Sequence, residues 1–195
     1  PKIKVSPMLA KKLEQLVDFS QEDRPDDVIK VGEEIITSKR AGPYEKAFAL
    51  QAQAFAYVDK DDYASAIPLL QKSLEANGLP NDTHYQIMFQ MSQMYLSEER
   101  YEEALTSLDK FFAETKSAKP EHLAMKGNAL YRLERYDEAA KILEQAIAAS
   151  DKPQDSWSQL LMGSYFEQEK PMEAARVAES MLAKNPNDKN LLSNL

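Results

Sequence analysis

A recurring phrase constrains this chain more than any other feature of its sequence. The pattern Tyr-x-x-Ala-x-x-x-Leu occurs with its alanine at Ala66, Ala104 and Ala139, and a weaker copy carries Ala174. These four alanines follow one another at intervals of 38, 35 and 35 residues. Self-similarity at a fixed period of roughly 20–50 residues is the signature of repeat architectures. The sequence therefore predicts an array of similar units.

A second series of residues keeps the same register as the alanines. Nine residues before them stand Tyr57, Tyr95, Leu130 and Tyr165, and three residues further back stand Ala54, Ser92, Gly127 and Met162. Small side chains on one helix and an alanine on the next let two helices cross closely, and the leucine after each alanine extends the same buried face. The spacing predicts antiparallel helix pairs, which must stack on their neighbours to bury their apolar faces.

Composition supports helices and narrows the classes of function. The 195 residues include only 5 glycines, which argues against an architecture of strands and tight turns. The chain has no cysteine, so disulfides, thiol catalysis and thiolate metal sites are excluded. The net charge is −8, whereas a nucleic-acid-binding protein needs a local basic stripe, and the basic pairs Lys11-Lys12 and Lys39-Arg40 are isolated. No apolar run approaches the ~18 residues that a membrane-spanning helix requires.

The repeated phrase resembles the tetratricopeptide-repeat (TPR) family, whose unit is ~34 residues long. The clearest match contains Gly127, Tyr136, Ala139 and Leu143 at the family's positions. The resemblance implies an all-α fold, a right-handed α-solenoid of antiparallel helix pairs. It also implies a non-catalytic scaffold or adaptor that binds a partner protein or peptide in a concave groove. The departures are Ser73 and Phe111 for a later small residue, and Pro171 for the turn aromatic.

The predicted organisation is a single TPR array over residues 1–195. Its parts are an extended leader (1–8), a degenerate helix pair (9–42), four repeats (43–80, 81–118, 119–152 and 153–187) and the start of a further or truncated helix (188–195). The degenerate pair is predicted because Val28 lies 38 residues before Ala66 and because Pro25 suits the first position of a helix. About one extra helical turn is expected around Asn77–Pro80. The leucines of the last segment predict an apolar edge that another molecule covers or that a truncation exposes.

The family register implies which residues line the groove. They are Gln51, Phe55, Val58, Phe89, Gln93, Leu96, Ala124, Asn128, Tyr131, Arg132, Gln159, Gly163 and Phe166. Aromatic rings and amides in one groove suit an extended or helical peptide. The clamp that some TPR proteins use for two carboxylates is incomplete, because only Asn128 and Arg132 fit it and Gln51 and Phe55 replace its Lys and Asn. Arg132 is expected to pair with Glu134 or Glu167, or else to hold a single carboxylate.

Three phrases suggest a narrower resemblance. They are Tyr44–Ala47, Asp61–Ile67 and Lys152–Leu161, and the last contains Lys-Pro-x-x-Ser-Trp, which the TPR fold does not require. They resemble TPR proteins that accompany TonB energy-transduction systems of Gram-negative bacteria. This resemblance implies a periplasmic bacterial protein that holds a TonB-system component, with a cytoplasmic location as the alternative.

The sequence contains no motif for catalysis, cofactor binding or a metal. It has no Gly-rich phosphate loop, nucleophile elbow or His-Glu-x-x-His, and His84 and His122 have no second ligand at metal-binding spacing. Two alternatives to the adaptor stay open. One is a self-assembling structural protein, a homo-oligomer, and the other is a cytosolic chaperone-type adaptor, which the incomplete clamp disfavours. Core packing is expected for Met88, Met91 and Met94 and inter-repeat packing for Trp157.

Overall fold

The computed structural model describes residues 6–184 and 186–187, and within them every regular element is a helix. The helices are α1 (Pro7–Gln21), α2 (Pro25–Ile36), α3 (Pro43–Val58), α4 (Tyr63–Ala76), α5 (Asn81–Ser97), α6 (Tyr101–Thr115), α7 (Pro120–Arg132), α8 (Tyr136–Ala149), α9 (Asp155–Glu167) and α10 (Pro171–Lys184). The chain forms two compact units, Pro1–Glu99 and Arg100–Leu195. The all-α prediction is confirmed.

In the first unit each helix packs on the next along the chain, and α1 also packs on α3. Short turns join the helices within a pair, so that they run antiparallel. The core of α1–α3 is aliphatic. It comprises Leu9, Leu16, Val28, Val31, Ile35, Ala41, Ala49 and Ala56. Between α3 and α4, the buried Ser73 hydroxyl donates a 2.7 Å hydrogen bond to the carbonyl of Ala47, which explains a serine at a position where the family has alanine.

The start of α1 corrects the predicted leader. The helix begins at Pro7 rather than Leu9, because the Ser6 hydroxyl accepts a hydrogen bond from the Leu9 N–H and Pro7 occupies the first helical position. Residues 1–5, the rest of that leader, lie outside the described residues, as does the further helix predicted at 188–195. As predicted, Pro25 begins α2.

In the second unit α7 contacts α6, α8 and α9, and α9 packs on both α8 and α10. The repeat residues occupy the positions that the pattern predicts: Ala139 and Leu143 are completely buried. At Gly127 an added Cβ would lie 2.7 Å from Cγ of Leu143, closer than carbon atoms can approach. The small residue of the first helix is therefore required by the leucine of the second.

The extra residues of the longer repeat spacing lie elsewhere than predicted. Ser92 is the twelfth residue of α5, whereas Gly127 is the eighth residue of α7. The connection 77–80 is as long as the connection 116–119. The additional turn is therefore at the start of α5, because Pro80 adopts an extended conformation and the helix begins directly after it.

The turns inside the helix pairs share one backbone conformation. The chain adopts a positive φ of 55–60° five residues before each repeat alanine and five residues before Val28. The residues with this conformation are Asp23, Asp61, Glu99, Glu134 and Glu169. In four of these turns the N–H of the next residue donates to a carbonyl five residues earlier at 2.9 Å, as Asp62 does to Tyr57 and Arg135 does to Leu130. This is the Schellman termination, in which glycine is usual and an acidic residue is not.

Replacing Glu134 by glycine is expected to stabilise the protein by about 0.5–1 kcal/mol. A left-handed conformation costs a non-glycine residue about 1–2 kcal/mol, of which the greater freedom of glycine in the unfolded chain cancels a part. Urea unfolding followed by circular dichroism measures the change. Glu134→Ala is the control, because it removes the charge and keeps the Cβ. A glycine variant no more stable than the alanine variant would contradict the explanation.

Candidate partner-binding cleft

A cleft of about 350 Å³ lies between α1 and α3 in the first unit. Its lining is mainly apolar. It consists of Leu16, Val17, Ser20, Gln21, Arg24, Pro25, Val28, Phe48, Gln51, Ala52, Phe55, Ala56 and Asp59. The lining residues of α1 and α3 repeat every three or four positions, so that each helix presents one face. We call this site the α1–α3 cleft.

Three polar side chains of the α1–α3 cleft have no partner within the described part of the chain. They are the amides of Gln21 and Gln51 and the carboxylate of Asp59. The hydroxyl of Ser20, in contrast, donates a 2.8 Å hydrogen bond to the carbonyl of Leu16. The cleft thus combines apolar walls with amide groups that are available to a ligand.

The charge of Arg24 is already compensated inside the protein. Its Nη1 donates to Glu22 at 3.0 Å, its Nε donates to Asp27 at 2.8 Å, and its guanidinium lies 4.3 Å from the ring centroid of Phe19. The hydrogen bonds to Glu22 and Asp27 raise the pKa of Arg24 above its ordinary value. Among the residues that line the cleft, Asp59 therefore carries the uncompensated charge.

The structure places two of the predicted groove residues, Gln51 and Phe55, in the α1–α3 cleft. The contribution of α1 was missed, although the repeat supplies a signal for it. Counting 38 residues back from Phe55 and Val58 gives Val17 and Ser20, and both line the cleft. Val58 itself is half-buried and lies outside the lining. On α5, the predicted positions Phe89 and Leu96 are half-buried and Gln93 is exposed.

In the second unit the predicted groove residues of α7 and α9 meet at one point. A Cβ on Gly163 would lie 3.0 Å from the Tyr131 hydroxyl, so the small residue accommodates that ring. The same ring meets Tyr136 edge-on, with centroids 5.4 Å apart. The other predicted residues vary in exposure. Asn128 is half-buried, Ala124 is buried, Arg132 and Gln159 are exposed, and Phe166 is 60 % exposed.

The predicted ion pair of Arg132 is wrong. Its guanidinium makes no ion pair with Glu134, Glu167 or any other described residue. Arg132 is the last residue of α7, and Glu134 lies beyond it in the turn, where the backbone adopts a positive φ. Arg132 is therefore an exposed cation at the end of α7.

The three methionines of α5 and Trp157, for which core packing or inter-repeat packing was predicted, are buried. Met88, Met91 and Met94 are at most 8 % exposed, which confirms core packing, and Trp157 is 6 % exposed. The described part of the chain holds no group of three metal-binding side chains. None of its helices combines the length and apolar character needed to cross a bilayer.

His122 lies in the first turn of α7 and packs against neighbouring side chains of the second unit. Its Nδ1 is 2.7 Å from the Ser117 hydroxyl, and its ring meets Phe111 edge-on with centroids 4.9 Å apart. Burial lowers the pKa of His122 below its ordinary value. The contacts join the connection 116–119 to the core of the second unit.

The phrases that carry the TonB resemblance have structural roles in the fold. Glu45 accepts a 3.0 Å hydrogen bond from the Gly42 N–H at the start of α3, and Asp62 accepts one from the Ser65 N–H, also 3.0 Å, at the start of α4. Trp157 is buried. Helix capping therefore accounts for Glu45 and Asp62, and core packing accounts for Trp157.

Solved structures with the same fold are similar to this chain over nearly its whole length. A tetratricopeptide repeat protein from Parabacteroides merdae is 14 % identical, with a TM-score of 0.77 over 97 % of this chain and 71 % of that one. YrrB, described as a TPR protein with an unusual peptide-binding site, is 16 % identical, with a TM-score of 0.76 over 93 % and 89 %. MamA from Desulfovibrio magneticus is 16 % identical, with a TM-score of 0.73 over 95 % and 100 %.

The sequence itself also matches a TPR family. No curated protein sequence matches the chain. The family model described as the N-terminal TPR repeats region of Psidin matches residues 93–195, just over half of the chain. None of these descriptions names a TonB system. This match covers more than half of the chain, and the repeat alanines are buried as the repeat pattern requires. The chain therefore belongs to the tetratricopeptide-repeat family.

Proposed function

We propose that this protein is a non-catalytic scaffold that binds a segment of a partner protein in the α1–α3 cleft. The observation that carries the proposal is an apolar cleft with unpaired amides at Gln21 and Gln51. A bound peptide loses water from its backbone N–H and C=O groups, and each needs a replacement partner. An amide side chain offers both a donor and an acceptor.

The dimensions of the cleft support a peptide ligand. Its volume of about 350 Å³ is at the lower end of the roughly 300–1,000 Å³ of small-molecule and cofactor pockets. It therefore accommodates one or two large side chains rather than a folded domain. YrrB, which shares the fold, is itself described by its peptide-binding site.

Truncating Phe55, one of the two aromatic residues of the cleft lining, is expected to weaken partner binding strongly. Phe55→Ala should weaken it about thirty-fold or more, since buried aromatic anchors at interfaces contribute about 2 kcal/mol or more. The direct assay is photo-crosslinking in cells, with the probe at Gln51 in the cleft and a control probe at the exposed Glu75 of α4. A discrete product at Gln51 that Phe55→Ala removes is expected.

Two outcomes would contradict the proposal. Products only at Glu75 would move binding away from the cleft. Products at Gln51 that contain only a second copy of this chain would favour the self-assembling alternative. Thermal unfolding of Phe55→Ala shows whether lost binding reflects lost structure.

A narrower proposal places the scaffold in the periplasm beside a TonB system. It rests on the three phrases alone, and the helix caps and buried tryptophan already explain their distinctive residues. Fractionation of a Gram-negative host that expresses the full-length gene tests the location. Recovery in the cytoplasm would exclude this narrower proposal and leave the peptide-binding scaffold intact.

A further inference from the structure

We infer that the α1–α3 cleft selects a basic–apolar segment, in which a lysine or arginine adjoins a large apolar anchor. The anchor occupies the apolar walls, and the basic side chain pairs with Asp59. This inference rests on the proposed function, because it specifies the ligand of the same site.

The lining of the cleft includes one carboxylate, that of Asp59, which has no ion-pair partner within the described part of the chain. Asp59 is exposed and forms the C-cap of α3, where its N–H donates to the Phe55 carbonyl at 2.9 Å. The C-terminus of a helix carries a partial negative charge from the aligned peptide dipoles. The carboxylate and the helix end thus reinforce each other and attract a cation.

Lys60 and Asp62, two charged residues of the α3–α4 turn, have partners within the fold, whereas the carboxylate of Asp59 has none among the described residues. Lys60 pairs with Asp26 at 2.6 Å and does not reach Asp59. Asp62 caps α4 through both the N–H and the hydroxyl of Ser65. An acidic residue at a helix C-terminus does not favour the helix. Within the described part of the chain, no side-chain contact gives Asp59 a stabilising role.

The spacing between the walls and the carboxylate matches adjacent residues of a peptide. Phe55 and Asp59 are four residues apart on α3, which corresponds to about 6 Å along the helix axis. A leucine or phenylalanine between Phe48 and Phe55 would place a neighbouring lysine within reach of Asp59. An acidic peptide would meet repulsion at the same point, in keeping with the incomplete carboxylate clamp.

Three synthetic probes test the preference. Each is a fluorescein-labelled nine-residue peptide with a central leucine, and the residues beside the leucine are lysine, glutamine or glutamate. Fluorescence anisotropy should rank the affinities as lysine above glutamine above glutamate. An exposed ion pair predicts a difference of about two- to five-fold between the lysine and glutamine probes at low salt. The difference should shrink as salt is added, because exposed charges are screened.

Matched variants assign the preference to one carboxylate. Asp59→Asn should remove the advantage of the lysine probe over the glutamine probe. Asp61→Asn is the control, because Asp61 lies in the same turn and outside the cleft lining, and the same change there should preserve the ranking. Asp59→Asn should also unfold at the same or a higher temperature than the natural protein.

The outcomes separate this inference from the proposed function. Binding that Phe55→Ala abolishes but that ignores the charge of the probe would overturn the inference alone. A lysine preference that survives Asp59→Asn would do the same. Binding of no probe above the level of Phe55→Ala would count against both the inference and the α1–α3 cleft.

Discussion

Gly78→Ala is expected to destabilise the first unit by about 3 kcal/mol, at the upper end of the cost of overpacking. A Cβ at Gly78 would lie 2.2 Å from both the carbonyl carbon and the oxygen of Pro43, and 2.4 Å from the nitrogen of Tyr44. These are backbone atoms, which cannot rotate away as a side chain can. The start of α3 is also held by the hydrogen bond between Gly42 and Glu45.

Gly42→Ala is the matched control for this substitution. Its Cβ would meet only the carboxylate of Glu45, at 3.1 Å, and that flexible group is able to move. Urea unfolding followed by circular dichroism measures both variants. A Gly78→Ala protein as stable as Gly42→Ala would show that the close approach of the 77–80 connection to α3 is not a structural requirement.

In the second unit, Leu143→Ala is expected to cost about 2–5 kcal/mol, because the leucine is completely buried and its removal leaves a cavity. Gly127→Ala should cost less. An alanine gains about 1 kcal/mol over glycine inside a helix, but the added methyl group would lie 2.7 Å from Leu143 Cγ, and overpacking costs about 1–3 kcal/mol.

Combining the two substitutions is expected to reverse the sign of the Gly127 effect. With alanine at 143 the two overlaps below 3 Å disappear and only Cγ2 of Ile142 stays close, at 3.3 Å, so that Gly127→Ala should stabilise the protein by up to about 1 kcal/mol through helix propensity. A double-mutant cycle in urea measures this coupling directly. Additive effects would contradict the small-against-large packing that defines the repeat.

The core of each repeat was predictable from the sequence. Ala66, Ala104 and Ala139 have to be small because a helix crosses there, and a steric requirement of this kind leaves a visible pattern of residue types. The same reasoning located Pro25 at the start of a helix. The turns left no such pattern, because Asp61 and Glu134 occupy a backbone conformation in which glycine is usual.

The site was less predictable than the core. Groove positions on α3 follow from the family register, but those on α1 belong to a pair whose own repeat residues have diverged. The availability of Asp59 depends on which charges pair elsewhere. Arg24 bonds to Glu22 and Asp27, and Lys60 bonds to Asp26. Sequence proximity alone does not decide which acidic side chain a given cation pairs with. Arg132, which has acidic residues nearby in sequence but makes no ion pair with a described residue, is a further example.

Within each unit, the described helices pack mainly against those one or two places away along the chain. Contacts that are local in sequence favour rapid folding, and in a stacked array the stability is a sum of local and nearest-neighbour contributions. Damage at one helix pair should therefore increase hydrogen exchange there and in the adjoining pair, and fade beyond them. Partial opening of α9 and α10 is then compatible with an intact α1–α3 cleft, so that the proposed ligand should stay bound while these two helices open.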